Sequence, residues 1–241
     1  MKRTFHDAEK LAQAYELQRR AVDLHVAPPP IVKWGAKIFD ANGEQIEEIL
    51  AKSNSYTRNA LNVFACQSTW IARHSTAASG LIGGGFSDGA IGGKTSGGTT
   101  YANLSAYGIY QSAYGQSEKT GEDSFSFLAG YSDAEESIDS YILGNEFGTG
   151  TAENQLTKGV SAKSSLWDGT HRKFVTTFSR QFTNGYSSSQ TIKEIGLYLY
   201  MQIGSSSAQQ YLVLRDVLAS PITLASGQTV ILYYQLEALI A

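Results

Sequence analysis

From Phe125 onward, short runs of alternating apolar and polar residues succeed one another, separated by Gly, Ser and Asn. No stretch between them is long and apolar-periodic enough to serve as a helical crossover. A parallel sheet is thereby disfavoured, because parallel neighbours need such a crossover. The expected runs are Phe125–Tyr131 and Ile138–Leu143, then a loop over 144–169 rich in Gly, Thr, Asn and Lys. Next, Phe174, Thr176, Phe178, Arg180 and Phe182 alternate with Val175, Thr177, Ser179 and Gln181, which gives one aromatic face. Asn184-Gly185 supplies a turn and Ile192–Met201 the return strand. Another turn over Gly204–Ala208 leads to strands at Tyr211–Leu218, Ile222–Leu224 and Thr229–Leu236. The expected class is mainly β, an antiparallel β-sandwich or barrel-like domain with an N-terminal helical arm and one further packed helix.

The front of the chain divides at a proline run. Residues 4 to about 25 read as a helix capped by Thr4 or Asp7, with Ala8, Leu11, Ala12, Tyr15 and Val22 on one side. Pro28-Pro29-Pro30 stops the helix and favours a stiff extended spacer. Residues 1–30 are thus expected to form an arm whose narrow apolar stripe packs on the parent domain or on a neighbouring subunit, with Leu11, Tyr15 and Val22 as the candidate inter-subunit contacts. Residues 31–241 form the β-rich domain. Its first elements are a hairpin, Ile31–Phe39 and Gln45–Leu50, turning at Asp40-Ala41-Asn42-Gly43. A helix capped by Ser53 or Ser55 follows, with Tyr56, Ala60, Val63, Phe64, Trp70 and Ile71 at three- and four-residue steps.

An insert over 75–121 holds half of the 24 glycines, among Ser, Thr, Ala and Tyr, and is almost free of charge. It cannot build a core from its few large apolar residues, and structureless loops of this length are uncommon in compact domains. Ordering by neighbours is the expectation.

Composition excludes several function classes. Charged residues make up 17% of the 241, with a net charge of −3. A nucleic-acid binder needs a Lys/Arg surplus to displace counterions, so nucleic acid is not expected as the main partner. The charged N-terminus is not followed by an apolar stretch, which disfavours a secretory signal. No run approaches the roughly 20 apolar residues that span a bilayer, so no membrane partner is expected. The single cysteine, Cys66, sits among Val63, Phe64 and Ala65 and reads as a small buried thiol.

The last third carries a recurring set of short patterns. Ser179-Arg180-Gln181-Phe182-Thr183-Asn184 is followed by Glu194-Ile195-Gly196-Leu197-Tyr198. Then come Arg215-Asp216-Val217-Leu218 with Pro221, and Gly227-Gln228-Thr229. In this order they resemble the C-terminal region of tailed-bacteriophage virion proteins, with their R-x-F-T-N, E-I/V-G-L-Y, R-D-V-L-x-x-P and G-Q-T elements. The resemblance covers about residues 31–73 and 138–240, and misses the arm and the insert. It implies membership of a virion and implies no reaction. Independently of it, Arg180, Glu194, Arg215 and Asp216 interrupt half-buried strands, where a charge needs a partner. Glu194 is expected to pair with Arg180 or Arg215 and pin the strand register; a solvated edge carrying these charges is the competing reading.

Catalytic patterns fail on spacing or context. Gly89-Ala90-Ile91-Gly92-Gly93-Lys94-Thr95 approaches a phosphate-binding loop, but Asp88 stands where the first glycine is required. His6, His25, His74 and His171 are scattered, without metal-ligand spacing. The G-x-S-x-G string Gly85-Phe86-Ser87-Asp88-Gly89 lies inside the glycine-rich insert, where no apolar strand leads into it as a nucleophile elbow requires. Asp133, Glu135, Glu136 and Asp139 lack a calcium-loop spacing and read as a solvated turn, with a polymer hydrolase the competing idea. No cofactor, metal or enzymatic activity is expected. The leading expectation is a non-catalytic subunit of a tailed-phage virion, in the neck, tail or head surface, made in a host cytoplasm. Its partners would be other virion proteins and copies of itself. The alternative is a receptor- or glycan-binding fibre module, with Tyr101, Tyr107, Tyr110 and Tyr114 of the insert stacking on host sugars.

Overall fold

A computed structural model of the chain describes residues 2–6, 8–23, 30–53, 56–57, 93–94, 100–101, 127–137, 140–201 and 209–239. In chain order the elements are β1 (Lys2–His6), α1 (Ala8–Asp23), β2 (Ile31–Phe39), β3 (Gln45–Lys52), β4 (Gly93–Lys94), β5 (Thr100–Tyr101) and β6 (Phe127–Gly130). They continue with β7 (Gly148–Thr149), β8 (Gln155–Lys158), β9 (Ala162–Asp168), β10 (Lys173–Thr183), β11 (Gln190–Met201), β12 (Gln209–Leu224) and β13 (Thr229–Leu239). The fold is mainly β, with one helix among the described residues. Two principal sheets of mostly antiparallel strands give a content consistent with the expected sandwich class.

The chain divides into two compact units. The first takes Met1–Asn54, Gly148–Thr191 and Thr223–Ala241; the second takes Ser55–Phe147 and Ile192–Ile222.

In the first unit the sheet order is β1-β3-β2-β13-β10-β8-β7, with β9 also paired to β10. The β2–β3 hairpin forms where its turn residues place it. The Asp40 carboxylate accepts the amides of Asn42 and Glu44, each at 2.9 Å, and Gly43 adopts the left-handed φ of 86° that closes the turn. Register then sorts the side chains by parity. Trp34, Ala36, Ile38, Phe182, Val230, Leu232 and Tyr234 share one buried face. Lys33, Gly35, Lys173, Tyr233 and Glu237 share the other, which receives α1. Gly35 lies directly opposite Tyr233, and a Cβ there would fall 2.3 Å from the ring. Burial pushes the Tyr233 hydroxyl pKa up to about 12.

The second unit contains the three-stranded sheet β12-β11-β6 and the two-stranded β4–β5. Its buried residues include Phe127, Leu128, Leu143, Ile195, Tyr198 and Leu212. Pro221 lies in β12, an outer strand of this sheet, the kind of strand in which proline is tolerated.

Several elements differ from the sequence reading. Residues 2–6 form a strand parallel to β3, so Thr4 is not a helix cap, and the helix begins at Ala8. With β1 paired to β3 and α1 packed on the sheet, both elements belong to the first compact unit. The loop expected over 144–169 contains β7, β8 and β9, because Thr-rich and Ser-rich runs there find β10 and one another as pairing partners. Ser140–Leu143 is not a strand. The strands flanking Asn184-Gly185 do not pair as a hairpin: β10 joins β13 and β9, while β11 joins β6 and β12. The strands expected at Tyr211–Leu218 and Ile222–Leu224 are one continuous strand. Tyr56 forms an isolated bridge to Leu214, and Thr57 donates its amide to Val213 O, so neither of these two residues is helical. The rest of that expected helix, and nearly all of the insert, lie outside the described residues. Among the described residues no helix is long and apolar enough to cross a membrane.

Gly35→Ala is expected to lower unfolding free energy by about 1–3 kcal/mol through overpacking against Tyr233. Urea denaturation followed by fluorescence measures it, and an unchanged midpoint would contradict the contact.

Candidate functional site: locked strands and an exposed edge

The four pattern elements of the last third meet in two pairs. Arg-x-Phe-Thr-Asn meets Gly-Gln-Thr in the first unit. The Asn184 amide donates to Gln228 O at 2.9 Å, and the Gly227 amide donates to Asn184 O at 2.8 Å. The Asn184 side chain is fully buried and satisfied. Its Nδ2 donates to Ser188 O and Leu224 O at 2.9 Å each, and its Oδ1 accepts the Tyr186 amide at 3.0 Å. Gln190, also buried, donates to Gln155 O at 2.5 Å and Ala152 O at 3.3 Å, and accepts the Asn154 amide at 2.8 Å. These two amides tie together turns and strand ends over 152–155, 184–188 and Leu224 through their backbone groups. Arg180 is buried; its Nε donates to Gly159 O at 2.8 Å, and its guanidinium lies 5.8 Å from the Phe182 ring centroid.

Glu-Ile-Gly-Leu-Tyr meets Arg-Asp-Val-Leu in the second unit. Of the two partners expected for Glu194, the structure selects Arg215: Nε donates to Oε2 at 2.9 Å, with side-chain exposures of 5% and 0%. The remaining donors of Arg215 reach Glu135 O, Ala134 O and Ser140 Oγ at 2.9–3.3 Å. The other Glu194 oxygen accepts the Asn145 amide at 3.0 Å. One ion pair therefore clamps both ends of the 131–147 segment to the sheet. Gly196 leaves room for Leu143 and Leu212, which would lie 2.8 and 2.9 Å from an added Cβ. Tyr198 accepts the Leu143 amide at 2.9 Å, and burial raises its hydroxyl pKa far above the ordinary range. Asp216, the next residue of β12, is buried too.

The acidic cluster belongs to this same clamp. Glu136 accepts the Val217 amide at 2.6 Å, and exposed Asp133 pairs with Lys193 at 3.0 Å. The hydrogen bond from Lys193 leads the contributions that hold the Asp133 carboxyl below its usual range. Asp139 lies outside the described residues, and no group of three or more metal-ligating side chains occurs among those described.

A third cluster was missed by the sequence reading. Glu237, almost fully buried, lies between Lys33 and Lys173, its diagonal neighbours on the two flanking strands. Lys33 Nζ bonds one carboxylate oxygen; Lys173 Nζ reaches the other at 3.0 Å. Tyr15 of α1 donates to that second oxygen at 2.6 Å and accepts from Lys33 at 3.2 Å, and Gln18 donates to Glu237 O at 3.1 Å. Burial, more than the adjacent carboxylate, pushes the Tyr15 pKa well up, so its hydroxyl stays protonated and keeps donating. Burial also pushes Glu237 upward, but hydrogen bonds from Lys33, Tyr15 and Lys173 outweigh it and hold the pKa below its ordinary value. Of the two expected destinations for the helix stripe, Tyr15 takes the parent domain: it docks α1 on its own sheet. Leu11 is half-buried on the same helix face, and the Val22 side chain lies outside the described part. The available signal was a lysine in the apolar run Ile31–Trp34 and a glutamate in Tyr233–Leu239.

On the side of β10 away from β13, β9 and the start of β10 expose large apolar groups. Leu166 is 68% exposed, and Trp167 and Phe174 are 45% and 47% exposed, with ring centroids 4.9 Å apart. Beyond them Asp168 turns the chain, accepting the amides of Thr170 and His171 and the His171 ring. Tyr101 is placed in β5 by its backbone alone, and Tyr107, Tyr110 and Tyr114 lie outside the described residues, as do Cys66, His25 and His74.

Breaking the clamp on one side leaves a buried charge alone. Arg215→Met should destabilise by about 3–5 kcal/mol, and adding Glu194→Gln should recover part of that loss. Thermal denaturation of the three forms checks it; equal losses in single and double variants would contradict a paired role.

Glu237 has a depressed folded-state pKa, so its contribution is full above the ordinary glutamate value of 4.5 and fades as pH falls through the lower folded value. Glu237→Gln should therefore be less stable than wild type at neutral pH, with the gap narrowing in acid. Unfolding midpoints measured across pH decide this, and a gap independent of pH would contradict it.

Comparison of the chain with protein-family models, curated proteins and solved structures returns no match.

Proposed function

We propose that the chain is a non-catalytic structural subunit of a tailed-phage virion, a neck, tail or head-surface component acting through contacts with copies of itself and with other virion proteins. The observation that supports this reading most is the use made of the four pattern elements that resemble such proteins. Each ends in a structural bond: Asn184 to Gln228 and Leu224, Glu194 to Arg215, Tyr198 to Leu143. Ionisable groups are spent on holding loops to sheets. A protein whose work is to keep a shape under load needs such cross-ties, whereas a catalyst needs charged groups held ready for a substrate.

Mass spectrometry of purified particles from the phage that encodes the chain tests the reading. The expected result is a fixed stoichiometry against the major capsid protein, few copies for a neck or tail position and hundreds for head decoration. Absence from intact particles would overturn it.

A further inference from the structure

We propose that β9 is a self-association edge, on which a second copy of this chain adds its own β9 in antiparallel register centred on Ser165. This names a contact surface for the assembly role above and rests on that reading only for its biological setting.

Among the described residues β9 pairs with β10 alone, so its outer side presents backbone donors and acceptors suited to another strand. Natural edges are usually blunted by central charges, proline or a bulge. The middle of β9, Ser164-Ser165-Leu166-Trp167, has neither a charge nor a proline, and its seven pairs with β10 run without a register shift.

The occupant follows from symmetry and charge. Two copies related by a two-fold axis normal to the sheet keep their faces aligned, so opposed residues must have like parity. Of the registers this allows, the one centred on Ser165 pairs the whole of Ala162–Asp168. It sets Lys163 opposite Trp167 of the second copy, twice, and Ser164 opposite Leu166 of the second copy, twice. The basic end of each strand then lies along the acidic end of the other. The ammonium of Lys163, which lies 5.7 Å from the Phe178 ring centroid of its own chain, would also reach an indole face. Small serines occupy the axis, where opposed Cβ atoms come within about 4.5–5.5 Å. Parallel addition would instead align like charges.

Charge reversal at the axis is the test. Ser165 is exposed, so Ser165→Glu and Ser165→Lys each leave the subunit folded, as circular dichroism should show. In sedimentation equilibrium the wild type is expected to dimerise, and each variant alone to associate at least tenfold more weakly. An equimolar mixture of the two variants should recover wild-type association, because residue 165 then meets its opposite charge. Trp167→Ala, which removes an exposed ring, should weaken association without touching the axis, and it serves if a charge variant misfolds. A monomeric wild type, variants that associate as wild type does, or a mixture without recovery would each overturn the edge. Any of these outcomes leaves a position in the particle untouched, and absence from particles would leave the edge standing.

Discussion

The buried pair between Glu194 and Arg215 is the constraint around which the second unit is arranged. A carboxylate and a guanidinium removed from water lose several kcal/mol of hydration each, and recover it only when every lone pair and donor is used. That requirement explains the path of residues 131–147. Two backbone carbonyls and a serine hydroxyl come to Arg215, and one amide comes to Glu194. The glycines nearby follow from the same demand. At Gly130 and Gly144 an added Cβ would meet Glu194 or Ser132, so the loop can approach the carboxylate only without side chains there.

The first unit solves a related problem differently. Its buried carboxylate, Glu237, is shared by two lysines and a phenol from three elements, and so ties α1 to β2, β10 and β13 at one point. Its buried amides, Asn184 and Gln190, are neutral, and they serve backbone groups at strand ends and in the turns beside them. Polar burial here is local in purpose: each buried group fixes one crossing of the chain.

Much of this was legible from residue order. The alternation in Phe174–Phe182 and Thr229–Leu236 produced the strands it implied, because β13 buries Val230, Leu232 and Tyr234 on one face and β10 buries Arg180 and Phe182 beside them. The Asp40–Gly43 turn was legible because Asp and Gly act there through short-range bonds that need no tertiary partner. The Glu194–Arg215 alternative was legible because a charge inside an apolar run has few ways to be satisfied. What failed was pairing. Asn184-Gly185 marks a turn correctly, yet nothing local says that β10 and β11 part to different sheets. Likewise β9 is almost wholly exposed, so its sequence lacks the apolar rhythm by which strands are recognised. The Glu237 cluster joins residues more than 200 positions apart, and one-dimensional patterns do not reach that far.

The place of β13 in the first sheet has a further consequence for biogenesis. This strand lies between β2 and β10, yet it is synthesised after both. Until the ribosome has delivered it, the hairpin of the front and the β8–β9–β10 group have no common neighbour to hydrogen-bond, and neither can close its apolar face. Folding of this unit must therefore follow rather than accompany translation of its parts, at the slow pace that distant pairings impose. The chain is kept from presenting a finished subunit before its last described strand is in place.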